Sequence, residues 1–148
     1  MVQDQLYQQI LEQSDDLIWM IDSNFHLIYA NKAYLKLMKD VTGKDKNLNE
    51  SVFVEGFGDG YIQKWQTYFE RAFKGEQFEI EEHFYNPNLK EIKYTLVTFK
   101  SIIGDNEKVV AVTCQARDIT PTVKDALKAN MMLNASLDVF CCVNEDGN

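Results

Sequence analysis

Three segments with the residue pattern of β-strands follow one another between residues 77 and 118. They read QFEIEEHFY, EIKYTLVTFKSII and KVVAVTCQARD, and turn sequences containing Asn-Pro-Asn and Gly-Asp-Asn separate them. Alternation of apolar and polar residues is typical of strands with one buried face, and short turns join antiparallel neighbours. The second half of the chain therefore predicts three antiparallel strands of one sheet.

The first half of the chain predicts two more strands and most of the helices. The segment LIWMIDSNFHLIYAN is divided at Asp22-Ser23-Asn24 and predicts a β-hairpin. Residues 40–60 predict only short helical turns and loops. Residues 2–14 have the pattern of a helix, and so does KAYLKLMK, for which Asn31 is the predicted N-cap. A third helix is predicted at YIQKWQTYFERAFKG, where the apolar stripe consists of Ile62, Trp65, Phe69, Ala72 and Phe73. The fourth is ITPTVKDALKANMMLNAS, with Thr120 as its predicted N-cap. This arrangement predicts an α+β domain with a single antiparallel sheet.

Alternation within the last strands predicts which side chains face inward. In KVVAVTCQARD, the expected inward residues are Val110, Val112, Cys114 and Ala116. In QFEIEEHFY, alternation separates His83, Glu79 and Glu81 from the apolar face. These three side chains could form a metal or proton site, but alternating charge is more typical of a solvated strand face, so we predict no metal site.

Charge and cysteine content exclude several classes of partner. The net charge is −8 and the basic residues are scattered, which argues against nucleic acid and against an anionic membrane surface. No apolar stretch is long enough to span a bilayer. The three cysteines include no Cys-x-x-Cys pair, so a disulfide framework or a thiolate zinc site is not expected and a cytoplasmic location fits best.

The final residues SLDVFCCVNEDGN repeat the pattern of an earlier segment. LNASLDVFCCVNED from Leu133 aligns without gaps with LEQSDDLIWMIDSN from Leu11, and Cys141-Cys142 then correspond to Trp19-Met20 inside an apolar strand. Buried, unreactive thiols are therefore expected. The predicted organisation is an N-terminal amphipathic helix (1–14), one domain (15–120), a linker helix (121–135) and the truncated start of a second copy of the domain (136–148).

Two motifs of this chain resemble those of the PAS family of sensory domains. SDDLIWMIDSNFHLIYANKAY is similar to the opening of that family, with Asn-x-Ala-aromatic starting a helix, and VVAVTCQARDIT is similar to its last strand and its Asp-Ile-Thr ending. The resemblance covers roughly residues 11–120. It implies a five-stranded antiparallel sheet with helices folded across one face around a small pocket. It also implies a non-catalytic sensory module of a bacterial signalling protein, with a histidine kinase or another output domain further along the chain.

The resemblance also bears on cofactors and on the path of a signal. Haem-binding members use a histidine on the long middle helix, and flavin photoreceptors use an Asn-Cys-Arg cysteine after the second short helix. This chain has neither, so no cofactor is evident and both haem and flavin are disfavoured. Asp118 and Thr120 are carried over as the junction between the last strand and the outgoing helix, where a threonine can cap the helix and an aspartate favours its positive end.

Two sets of residues are predicted to make the functional contacts. The pocket, with an unknown small molecule as its ligand, is expected to be lined by Tyr29, Met38, Trp65, Phe69, Phe84, Tyr94 and Cys114. A homodimer is expected to bury the apolar residues of the flanking helices, namely Leu6, Ile10, Val123, Leu127 and Met131, although the first helix could instead pack on its own domain.

Three further interpretations stay open at the level of sequence. GFGDGY at residues 56–61 lacks the spacing of a phosphate-binding loop and predicts either a lid over the pocket or a plain turn. A spacer module that dimerises without a ligand is the first alternative function. A small α+β enzyme that uses Asp22 or Glu82 as a buried base is the second, although no pair of nucleophile and base is evident.

Overall fold

A computed structural model describes residues 2–55 and 57–147, with side chains at 3–55 and 57–133. The chain divides into two compact units, Met1–Asp118 and Ile119–Asn148. The elements, in chain order, are α1 (Val2–Gln13), β1 (Leu17–Asp22), β2 (Leu27–Ala30), α2 (Lys32–Thr42), α3 (Tyr61–Phe73), β3 (Phe78–Asn86), β4 (Glu91–Ile103), β5 (Val109–Asp118) and α4 (Thr120–Gly147).

The five strands of the first unit form one antiparallel sheet in the order β2-β1-β5-β4-β3. This confirms the predicted α+β fold with a single sheet. Helices α2 and α3 cover one face of the sheet, which we call the inner face, and bury Tyr34, Met38, Trp65, Phe69 and Ala72 against it. The sheet contributes the remaining large side chains of the core, including Trp19, Ile21, Leu27, Val97, Phe99, Val112 and Cys114.

The turn between β1 and β2 is built by the carboxylate of Asp22. Its Oδ1 accepts hydrogen bonds from the backbone amides of Asn24 and His26, both at 2.9 Å. Phe25 adopts a left-handed conformation with φ of 62°, so its ring turns towards the core, where it contacts Phe53 and Phe69. Asp22 therefore has a structural role in this turn.

The segment between α2 and α3 contains no helix among its described residues, contrary to the short helical turns predicted there. Residues 49–52 instead run beside the free edge of β2. The amide of Leu27 donates to the Glu50 carbonyl at 2.8 Å, and the amide of Asn49 donates to the Leu27 carbonyl at 2.7 Å. Pairing with backbone satisfies an edge strand that would otherwise expose unpaired amide and carbonyl groups.

Asn31 joins β2 to α2 and fixes the position of the helix. Its side chain is fully buried, and its Oδ1 accepts from the Tyr34 amide at 3.0 Å, which confirms the predicted N-cap. The same oxygen accepts from the Ile18 amide at 3.1 Å, and Nδ2 donates to the carbonyls of Leu11 and Asp16 at 2.9 and 2.8 Å. One side chain therefore connects the end of α1, the start of β1 and the start of α2.

The helix α4 is described by itself because it belongs to the second unit. The amide of Val123 donates to the Ile119 carbonyl at 2.9 Å, so Thr120 lies in the first turn of the helix and the prediction that it is the N-cap is wrong. Pro121 is still tolerated, because amides in the first turn have no partner within the helix.

The backbone of α4 is helical as far as Gly147, whereas the sequence predicted a strand from residue 136. A helix satisfies its own backbone hydrogen bonds, whereas a strand requires a neighbouring strand. The side chains from residue 134 onward, including Cys141 and Cys142, lie outside the described residues. The start of a second copy of the domain over 136–148 stays a prediction.

Candidate functional site

The inner face of the sheet and the two helices above it line a partly open cavity of about 100 Å³. Strands β1, β3, β4 and β5 supply its floor, while α2, α3 and the loop before α3 supply its walls. The apolar and aromatic side chains that line it are Leu17, Trp19, Tyr34, Leu37, Met38, Val52, Phe57, Tyr61, Trp65, Phe69, Phe84, Val97 and Ala116. A mainly apolar lining with a few polar groups is typical of small-molecule sites.

Aromatic contacts hold the walls of the cavity in place. The ring of Trp19 lies 5.0 Å from that of Tyr34 and 6.0 Å from that of Trp65, measured between centroids. Trp65 also contacts Phe69 and Phe99, each at 5.7 Å. Tilted rings at these separations stabilise one another beyond the area that they bury, so the cavity has a defined wall on the sheet side and on the α3 side.

The glycine-containing loop before α3 closes one side of the cavity. Phe57 stacks on Tyr61 with 4.7 Å between ring centroids and meets Phe84 edge-on at 5.8 Å. Gly58 and Gly60 have φ values of 101° and 75°, which other residues rarely adopt. These two glycines allow the chain to turn so that Phe57 packs inward, an arrangement that fits the predicted lid better than a plain turn.

A carboxylate and its two partners form the polar side of the site. Glu82 faces the cavity from β3, where its Oε1 accepts from the Tyr68 hydroxyl at 2.7 Å and its Oε2 from the Lys64 ammonium at 2.6 Å. The Glu82 side chain is only 11% exposed, whereas that of Lys64 is 47% exposed. The buried charge is therefore compensated by a hydrogen bond and by an ion pair at the rim.

Burial keeps the tyrosine hydroxyls around the cavity protonated. It raises the pKa of Tyr68 to about 12, and the hydrogen bond to Glu82 and the negative charge of that carboxylate add to the effect. Burial also raises the pKa values of Tyr34 and Tyr61, and the negative charge of Glu82 raises the pKa of Tyr61 further. The cavity thus presents neutral hydroxyl groups at any physiological pH.

The raised pKa of Tyr68 predicts a loss of stability at alkaline pH. A tyrosine in the unfolded chain ionises near pH 10, so the stabilisation is complete below that pH and is lost as pH rises through about 12. Ionisation of this one group therefore lowers the free energy of unfolding progressively in that window. We therefore expect the free energy of unfolding, measured by urea titration at several pH values, to fall less steeply with pH in Tyr68→Phe than in the parent chain. An unchanged slope would contradict this account of Tyr68.

The predicted pocket residues divide into three groups in the structure. Met38, Trp65, Phe69 and Phe84 line the cavity. Tyr29 and Tyr94 lie on the outer face of the sheet instead, where the Tyr29 hydroxyl donates to Glu12 at 3.0 Å and the Tyr94 ring contacts His83. Cys114 is buried in the core but is not part of the cavity lining. Its burial raises the pKa of the thiol well above the usual range, which makes it unreactive.

The pocket residues predicted from the sequence did not include Trp19, Tyr34, Phe57 and Tyr61, and Glu82 was considered only as the buried base of an enzyme. For Trp19 a signal was available, because β1 alternates and Trp19 shares a face with the buried Ile21. The prediction for α3 was also partly wrong, since Ile62 is 39% exposed. Tyr61 and Tyr68 pack against the aromatic cluster in its place.

The residues at the end of β5 occupy the predicted junction with α4. Asp118 is the last residue of the strand, and its Oδ2 lies 3.4 Å from the Lys93 ammonium of β4. Thr120 is the first residue of α4, with only Ile119 between the two elements. Ala116, two positions before Asp118, lines the cavity. The same strand therefore contacts the cavity and leads into the outgoing helix.

The apolar residues predicted for a dimer interface are mostly exposed. Leu6 is 52% and Ile10 63% exposed on α1, and Leu127 and Met131 are exposed on α4. Val123 is half-buried. The end of α1 is held to the domain by Asn31, so this helix is attached at one end while its apolar residues stay accessible. Whether two chains bury these residues together stays a prediction.

The sequence also raised the alternative of a metal or proton site at His83, Glu79 and Glu81. His83 is exposed on β3 in step with Glu79 and Glu81, as the alternation predicted, although part of this residue also lines the cavity. Among the side chains that the structure describes, at 3–55 and 57–133, no three of His, Cys, Asp or Glu come together in a way that could hold a metal ion. None of the helices in the described part of the chain combines the length and apolar character needed to cross a membrane.

Comparison with known proteins identifies relatives of this fold. A family model described as PAS fold matches residues 11–124. A search of curated proteins found no match. Among solved structures, the PAS domain of a protein from Colwellia psychrerythraea is 17% identical, with a TM-score of 0.58 over 82% of this chain and 99% of that chain. The PAS domain of an HTR-like protein from Haloarcula marismortui is 16% identical, with a TM-score of 0.56 over 80% and 93%. A Rhodobacter sphaeroides LOV protein is 15% identical, with a TM-score of 0.56 over 81% and 69%.

Proposed function

Because this chain belongs to the PAS fold family, we propose that it is a non-catalytic sensory module of a bacterial signal-transduction protein, such as a histidine kinase. A small molecule in the cavity would alter the packing against β5, and that change would pass through Asp118 and Thr120 into α4. Dimerisation through the flanking helices is part of the proposal. A cytoplasmic location is also part of it, in keeping with the free, buried Cys114.

The observation that carries this proposal is the contact of β5 with the cavity. Ala116 is 3% exposed and faces the cavity between Leu17 and Val97, its cross-strand neighbours. Ligand binding can shift an equilibrium only if it favours one of two arrangements of the protein. A strand that forms part of the cavity floor and continues into the outgoing helix is well placed to have two such arrangements.

The proposal can be tested by filling the cavity from β5. Ala116→Val adds two methyl groups on the cavity side, and Thr113→Val is a matched substitution on the outer face of the same strand. Hydrogen exchange monitored by mass spectrometry should show at least a threefold change in the exchange rates of residues 119–133 in Ala116→Val and no change in Thr113→Val. Unchanged exchange in a folded Ala116→Val protein would contradict the relay.

A spacer module without a ligand is the alternative that this experiment addresses. In such a module the cavity would be residual space in the core, and filling it would alter stability without any effect on α4. Native mass spectrometry of the purified full chain offers a second test, because a small molecule that is retained before denaturation and lost afterwards supports the sensor.

A further inference from the structure

The indole Nε1–H of Trp19 is a buried donor without a partner. Trp19 is only 4% exposed, and no atom in the described part of the protein accepts a hydrogen bond from its Nε1–H. A buried polar group left unpaired costs about 1–3 kcal/mol, and such groups in native proteins call for an explanation. The same indole lines the cavity, so a molecule in the cavity could supply the missing acceptor.

Apart from its tyrosines, the charged and titratable side chains that line the cavity are Glu82, Lys64, Asp59 and His83, and the last two are exposed to solvent. Both oxygens of Glu82 already accept hydrogen bonds, one from Tyr68 and one from Lys64. Lys64 is therefore paired and leaves no free positive charge in the site for an anion. A cation would have to give up its hydration in a cavity walled by aromatic rings, and the exposed carboxylate of Asp59 offers it no buried counter-charge. The site thus favours a neutral molecule.

The volume of the cavity limits the size of that molecule. At about 100 Å³, the cavity is smaller than the engineered cavity of roughly 150 Å³ that holds benzene. It is also well below the roughly 300–1,000 Å³ of sites for drug-sized ligands. A flat molecule of about five heavy atoms fits between the rings without rearrangement.

We propose that the cavity binds small, neutral, flat molecules that carry one hydrogen-bond acceptor, and that Trp19 Nε1–H donates to that acceptor. This inference rests on the proposed sensory function and specifies its ligand class. Trp19 pairs with Cys114 of β5, so the residue that recognises the ligand is a direct neighbour of the strand that leads to α4.

Thiazole and thiophene are suitable probes, because the two rings have the same size and differ in a ring nitrogen that can accept a hydrogen bond. The full chain has two tryptophans, Trp19 and Trp65, and hence two indole N–H signals in a proton–nitrogen NMR spectrum. Trp65→Phe assigns them. Thiazole should shift the Trp19 signal in a saturable manner, and its Kd should be about three- to tenfold lower than that of thiophene.

The variant Trp19→Phe provides the matched control, because it keeps an aromatic ring and removes the donor. In this variant thiazole and thiophene should bind equally. If both probes bind the parent chain equally and the Trp19 signal does not shift, the proposed hydrogen bond from Trp19 to the ligand is wrong, but the sensory function is not contradicted. If neither probe binds, the inference about the ligand class is wrong. The proposed sensory function would be contradicted as well only if Ala116→Val also left hydrogen exchange in α4 unchanged.

Discussion

Replacing Trp65 by alanine should lower the free energy of unfolding by about 4 kcal/mol, because truncation of a buried tryptophan removes a large apolar surface and leaves a void. Trp65 is 8% exposed, and its ring contacts those of Trp19, Tyr61, Tyr68, Phe69 and Phe99. No other side chain of α3 contacts as many aromatic rings, and these rings belong both to the cavity wall and to the core of the sheet. Urea denaturation of the parent and variant chains measures the difference.

Ile62→Ala is the matched control for Trp65→Ala, since both residues belong to α3 and both were part of its predicted apolar stripe. Ile62 is 39% exposed, so its truncation should cost less than about 1 kcal/mol. The new void in Trp65→Ala adjoins the natural cavity, and added indole should therefore stabilise this variant but not Ile62→Ala. Equal destabilisation by the two substitutions would mean that α3 packs through a different face.

The fold was predictable because its elements differ clearly in pattern. The alternation of Phe78, Ile80 and Phe84 against Glu79, Glu81 and His83 marks β3 unambiguously, and the structure confirms both of its faces. Asn31 was recognisable as a helix cap because an asparagine precedes a run with helical spacing. The short turns between the last three strands indicated that these strands are antiparallel.

The positions of Tyr29 and Val110 were not predictable, because a β-bulge reverses the alternation of a strand. In β2 the register changes opposite Met20 and Ile21 of β1, so Leu27 pairs with Ile21 while Tyr29 pairs with Met20 and faces outward. In β5 a second irregularity opposite Ile102 and Ile103 leaves Val110 51% exposed. One extra residue moves the following side chains to the other face, and nothing in the composition of these strands signals it.

Tyr94 was misplaced for a different reason. Both faces of β4 carry apolar residues, since Ile92, Tyr94 and Leu96 alternate with Val97 and Phe99, so the pattern alone does not distinguish the inner face from the outer face. The inner face also includes Thr95 and Ser101, and Ser101 donates a hydrogen bond to the Ala72 carbonyl at 2.6 Å. Only the contact with α3 identifies this half-buried polar residue as belonging to the inner face.

The second large effect is expected at Asn31, where alanine should cost about 3 kcal/mol. The substitution would leave the amides of Ile18 and Tyr34 without their acceptor and the carbonyls of Leu11 and Asp16 without their donor. Its matched control is Asn88→Ala, an exposed position in the turn between β3 and β4, which should change the free energy of unfolding by less than about 0.5 kcal/mol.

Asn31→Asp separates the two halves of this hydrogen-bond network. Aspartate keeps the oxygen that accepts from Ile18 and Tyr34, but its second oxygen faces the carbonyls of Leu11 and Asp16, which cannot donate to it. Burial of a charge beside two carbonyls favours the protonated acid, so the pKa of the new carboxyl is raised on folding. The variant should therefore be closest to the parent chain below about pH 4 and should lose stability relative to it as pH rises. A difference in free energy of unfolding that stays constant between pH 3 and pH 7 would show that Nδ2 of Asn31 does not hold α1 and β1 together.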